Sequence, residues 1–149
     1  MISRRTVYDA FVAALEAAVW VPVRPWSRQV EDVTDPAVAD GVYVAPYGSQ
    51  LEASEEIGAS TYERRFFYEV VVVGSDDTQA GEMAAQRVMP LLDAIEEGLH
   101  DAAIAGGVCQ IESHPDTSRF HEFYFPSHAG RCACVQLWSV TLLESREWT

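Results

Sequence analysis

The chain has 149 residues, close to the commonest size for a single domain, and 48% of them are hydrophobic, enough to build a real core. Ten arginines and no lysine face 23 acidic residues, and the formal net charge of −13 argues against recognition of nucleic acid through a basic surface. Apolar runs such as 70–73 and 102–105 fall far short of the roughly 20 residues that span a bilayer, and three cysteines make no even disulfide framework, which suits free thiols in a reducing compartment.

The start, Met1-Ile2-Ser3-Arg4-Arg5, has the look of a basic leader, but Asp9 and Glu16 interrupt the apolar stretch after it and no small-residue cleavage site is present. It reads as a cytosolic start. Thr6 and Asp9 can cap a helix in the manner of a capping box, and Val7, Phe11, Leu15 and Ala18 recur at helical spacing, which predicts a helix from Thr6 to Ala18. Pro22 and Pro25 close it off, and the polar stretch from Arg24 to Asp40 reads as a loop. Gly41 to Pro46 predicts a short strand with Pro46 at its end or on a sheet edge. Gly48 to Ser60 is polar and glycine-containing, the composition of a mobile hairpin tip. Thr61 to Val73 has the densest β-propensity in the chain, and its last four valines predict a central strand buried on both faces.

Gly74-Ser75-Asp76-Asp77 supplies a turn and a helix cap, after which Ala80, Ala84, Val88, Leu91, Ile95 and Leu99 fall on one helical stripe. Pro90 lies inside that stripe and predicts a kink or two shorter helices meeting there. Gly98 or the pair Gly106-Gly107 ends the helical region, Val108 to His114 predicts a strand, Pro115 to Gly130 a long connection, and Arg131 to Glu144 a long last strand. The fold class expected is α+β, one domain over 1–149, with a mostly antiparallel sheet and two main helices packed on one face.

Residues that could carry chemistry are sparse. His114, His121 and His128 stand seven apart, and Cys132 and Cys134 share one face of a strand; neither spacing wraps one zinc ion, and small buried side chains account for both thiols. No nucleophile elbow, phosphate loop or His-Glu-x-x-His helix occurs, and the carboxylate pairs Glu55-Glu56, Asp76-Asp77 and Glu96-Glu97 fit helix ends and solvated surfaces. The expectation is a protein without catalytic residues, metal or cofactor. The segment Arg119-Phe120-His121-Glu122-Phe123-Tyr124-Phe125 is different, because four aromatic residues crowd into a connection. Either they form another strand on the domain's own core, or Arg119, Phe120, Phe123, Tyr124 and Phe125 anchor a subunit contact, where arginine and aromatic residues are enriched.

The order of these elements resembles that of the tail terminator and minor tail proteins of long-tailed bacteriophages: an N-terminal helix, the Gly41-Val42-Tyr43-Val44 strand, a polar hairpin tip, the strand Tyr62 to Val73, Gly74-Ser75-Asp76-Asp77 leading into an amphipathic helix, then Gly106-Gly107-Val108 and the strand Cys132 to Glu144. The resemblance spans nearly the whole chain and rests on element order and patterning. It implies a structural virion protein, made in the bacterial cytoplasm, that assembles with itself into a ring, commonly sixfold, capping the tail tube at the head-tail junction. Its neighbours would be the tail tube protein and a neck or connector protein. Neck and head-completion proteins share this size and patterning and are the alternative, with a small metal-binding or thiol enzyme further off. DNA would pass through such a ring without sequence-specific binding, and the acidic surplus would keep it from sticking to the wall.

Overall fold

A computed structural model describes residues 2–26, 38–53, 61–75, 81–113, 121–124 and 130–145. Among these residues, two helices, α1 (Arg4–Ala18) and α2 (Gly81–Leu99), accompany seven strands: β1 (Val23–Pro25), β2 (Gly41–Ala53), β3 (Thr61–Ser75), β4 (Ala103–Ile104), β5 (Gly107–Glu112), β6 (His121–Tyr124) and β7 (Arg131–Ser145). The strands make one mixed sheet in the order β1-β2-β3-β7-β5-β4, with β6 also paired to β7. Among the described strands only the short β1–β2 pair is parallel, so the chain is α+β with a mostly antiparallel sheet.

Helix α1 begins earlier than the capping pattern suggests. Ser3, in an extended conformation, is the cap; its Oγ accepts the Thr6 backbone N–H at 3.1 Å and meets Thr6 Oγ1 at 2.8 Å. Thr6 therefore sits inside the first turn, receiving the cap instead of providing it. Helix α2 continues as one element through Pro90. The proline removes one N–H, but its ring is on an exposed position while Val88, Leu91, Leu92, Ile95 and Leu99 are buried on both sides of it, so core packing holds the two halves together.

The predicted loop from Arg24 contains part of a strand, β1, whose residues Val23, Arg24 and Pro25 lie opposite Val42, Tyr43 and Val44. Part of the stretch read as a mobile tip is strand: Gly48 to Ala53 continues β2, reaching the Ala53–Tyr62 pair, and residues 54–60 of that stretch lie outside the described residues. The fifteen residues of β3 offer backbone partners along their whole length, and these outweigh the weak β-propensity of the polar sequence. Proline still leaves its mark, as the register shifts between Pro46 and Gly48.

Past α2, Asp101 takes a positive φ of 58°, and the Ala102 N–H donates to Leu99 O at 3.0 Å. A two-residue turn comes next, Ala105 (φ 52°) and Gly106 (φ 84°), joining β4 to β5 in the left-handed geometry that matches strand twist.

Strand alternation sorts the core into two large clusters. The bigger one joins Val7, Phe11 and Leu15 of α1 with Val88, Leu92, Ile95 and Leu99 of α2 and with Val42, Val70, Val72, Trp138 and Val140 of the sheet. The second is made of Trp26, Val38, Tyr43, Val71, Val73, Ala133 and Val135. Val70 to Val73 are thus buried on both sides, as their run of β-branched residues predicts. The Phe11 and Tyr68 rings stack at 4.5 Å between α1 and β3. Two polar ties cross the larger cluster. Arg64 donates to Ile2 O at 2.7 Å and pairs with Glu144 at 3.1 Å, while Glu144 accepts the Ile2 N–H at 2.9 Å. Gln136, fully buried, donates to Glu96 of α2 at 3.2 Å and accepts the Trp138 indole N–H at 3.1 Å.

Candidate assembly surface

The aromatic segment that the sequence singles out is not a bare connection. Residues His121–Tyr124 form β6, with Phe123 opposite Cys134 and Tyr124 opposite Ala133; Arg119, Phe120 and Phe125 lie outside the described residues. Strand β5 runs along the same side of β7, ending with Glu112 opposite Leu137, and β6 resumes with His121 opposite Gln136. Glu112 and His121 thus take consecutive rungs along β7, with residues 113–120 between them in the sequence. The physical reason is the backbone of β7. Beyond Leu137 its N–H and C=O groups need partners, and a stretch rich in β-prone aromatic residues supplies them.

Among the suspected metal ligands, His114 and His128 lie outside the described residues, and among the described residues no group of three or more His, Cys, Asp or Glu gathers as a metal site would require. Cys132 packs with Ala84 and Ala85 of α2, and Cys134 belongs to the larger cluster. Burial pushes the Cys109 thiol up to about 12 and the Cys132 thiol up to about 11, so at neutral pH both are held as thiols with little of the nucleophilic anion. Tyr68, buried beside Tyr8, is also raised well above its ordinary value, chiefly by desolvation.

What the sequence did not single out is a set of exposed apolar side chains on the sheet. Leu143 is 62% exposed, Val108 47% and Tyr47 44%. Two of them alternate with a neighbour inside the larger cluster: Leu142 is in while Leu143 is out, and Cys109 is in while Val108 is out. Val108 lies opposite Thr141, two residues from Leu143 on the same side of β7. Tyr47 is farther along, where with Arg65, Phe67 and Leu137 it lines a shallow hollow of about 360 Å³. The adjacent pair Leu142-Leu143 was the available signal: in a strand with one side in the core, two leucines in a row force one of them outward. Charged groups frame this surface without dominating it, since Arg65 pairs with Glu63 at 3.4 Å and Glu112 accepts the Ser139 hydroxyl at 2.7 Å.

No family model matches the chain, and no curated protein matches it. Among solved structures it is similar to a chain of the virion of a native gene transfer agent particle, with 16% identity over 94% of this chain and 93% of that one and a TM-score of 0.47, a level of superposition that carries no argument about role. Among the described residues, no helix is long and apolar enough to cross a membrane.

Proposed function

We propose that this chain is a structural virion protein whose activity is assembly, forming a ring at the end of a phage tail tube and joining the tail to the neck. The observation that carries the reading is the exposed set Tyr47, Val108 and Leu143 on the sheet. Val70 and Val72 belong to the cluster that holds the buried residues of the helices, and a neighbouring subunit would cover the exposed set. Large apolar side chains exposed beside charged groups such as Arg65 and Glu63 are what a subunit contact needs at its centre and rim. The element order, which resembles that of tail terminators, supports the same reading and supplies the ring. It implies no catalytic residue, and the thiols of Cys109 and Cys132, held protonated, are poor nucleophiles.

Native mass spectrometry of the purified full chain, with electron microscopy of the same sample, tests it. A closed ring of fixed copy number, formed alone or on addition of a tail tube protein, is the expected result. A chain that stays monomeric under both conditions at hundreds of micromolar would overturn the reading.

A further inference from the structure

Of the large apolar side chains among the described residues, Trp20 is the most exposed, at 68%. It lies between α1, which ends at Ala18, and β1, which begins at Val23. Val19 and Val21 on either side of it pack against the larger cluster, so the backbone is anchored while the indole is left in water. Tryptophan is among the side chains most enriched at the centres of subunit contacts, and an indole that becomes buried needs an acceptor for its N–H.

The hollow of about 360 Å³ on the sheet offers both an apolar bed and an acceptor. Phe67 and Leu137 line it, and Glu112 stands opposite Leu137 in the ladder. One Glu112 oxygen accepts the Ser139 hydroxyl at 2.7 Å, and a carboxylate has sites for further donors. Arg65 lines the same hollow with its side chain 41% exposed, where a guanidinium can lie over the face of an indole. The chain's own Trp20 does not reach this place. Val42 N–H donates to Pro22 O at 3.5 Å and β1 runs parallel to β2, which puts Trp20 at the Gly41 end of β2. The hollow begins at Tyr47, about 16 Å along the strand from Val42.

We infer that the hollow of Phe67, Leu137, Arg65 and Glu112 receives Trp20 of a second copy of the chain. The inference rests on the assembly reading and names the partner of the sheet surface. Charge selects the occupant. With a net charge of −13, two copies repel each other over most of their surfaces. Residues 17–30 are an exception, holding two arginines and no Asp or Glu, and Arg24 in that stretch is exposed. At the hollow the balance is reversed, because Glu112 and the Glu63 carboxylate, 3.4 Å from Arg65, stand against one guanidinium. An acid-free, arginine-bearing stretch is therefore the part of a neighbour that can approach these carboxylates. Such a contact joins two different surfaces head to tail, and it generates a ring where the rotation between copies closes.

The test uses the full chain alone. Trp20→Ala is compared with wild type by sedimentation over a range of concentration, with circular dichroism and urea midpoints to show that the fold is kept. In a separate variant the photo-crosslinking residue p-benzoylphenylalanine replaces Trp20. The concentration needed for association is expected to rise roughly thirtyfold or more in Trp20→Ala. Illumination is expected to give a covalent dimer joined to the peptide of Arg65 and Phe67 or to that of Glu112. Association unchanged in Trp20→Ala overturns the inference and leaves the assembly reading standing. So does a crosslink that misses the hollow or stays within one chain. A wild-type chain that never associates removes both.

Discussion

Arg64 ties the backbone just ahead of α1 to the sheet. Its side chain and that of Glu144 are 9% and 11% exposed, and between them they take up both backbone polar groups of Ile2. The guanidinium also lies 4.6 Å from the centre of the Phe66 ring, a cation–π contact that helps to fix it. Replacing Arg64 by Met keeps the aliphatic bulk but strands the Glu144 carboxylate, so the expected loss is about 3–5 kcal/mol by urea unfolding. Arg64→Met with Glu144→Leu removes both charges and should recover most of that loss; equal destabilisation in the single and double variants would show that the ion pair is not the cause. The buried thiols make a second prediction at this scale. Burial raises Cys109 to about 12 and Cys132 to about 11 from an ordinary value of 9.0. Below pH 9 both states hold the proton and stability is complete. Above it the unfolded chain ionises first, so stability declines as pH rises from about 9 toward 11–12. Cys109→Ala with Cys132→Ala should flatten that decline, measured as urea midpoints across pH 8–11.

At the level of elements, close contacts decide which exchanges the fold tolerates. A Cβ on Gly107 would sit 2.5 Å from the Thr141 carbonyl oxygen and 2.6 Å from Leu142 Cδ2, so β5 approaches β7 more closely there than any other residue permits. Gly107→Ala should cost about 1–3 kcal/mol in thermal or urea unfolding, whereas Gly48→Ala, which meets nothing within 4 Å, should be near neutral. A neutral Gly107→Ala would mean that the two strands can separate at no cost. Patterns of this kind also set what the sequence could reveal. The helix of Val7, Phe11 and Leu15, the stripe from Ala84 to Leu99 and the four valines of β3 were legible because each is a run whose period states its own burial. Strand β1 was not, because three residues ending in proline carry no period; neither was the second half of β2, whose polar residues are held in a strand by the backbone of β3. The aromatic segment offered a strand as one of its two readings, but not that strand's place in the sheet. Nothing in the aromatic segment says that its partner is the unused side of β7, a pairing that depends on where β5 stops. Of the candidate contact surface, the segment at 119–125 was visible as composition, while Tyr47 and Val108 became visible only once strand register was known.

At the scale of the whole molecule, the proposed assembly requires a chain carrying −13 to gather copies of itself. Charge repulsion over the whole surface sets a cost that a few contacts must exceed, so those contacts should be apolar at the centre and locally neutral or cationic. An assembly that passes DNA would place the remaining carboxylates on its inner wall, and a map of the ring with a neutral or basic lining would count against that role. The aromatic strand is the sharpest place to test which contact matters. Phe123 pairs through its backbone with Cys134, and Phe125 comes one residue after β6 ends. Each ring buried in a contact can contribute on the order of 2 kcal/mol from area alone, and the two together are enough to decide association at micromolar concentration. Phe123→Ser with Phe125→Ser keeps the backbone pairing of β6, which needs no particular side chain. The expected outcome is a folded monomer, with native circular dichroism and an unfolding midpoint close to wild type, that no longer forms rings or joins tails. A variant that unfolds assigns the rings to the domain's own core beside β7. A variant that folds and assembles as before moves the contact to the surface of Tyr47, Val108 and Leu143, where Leu143→Glu should then abolish assembly instead.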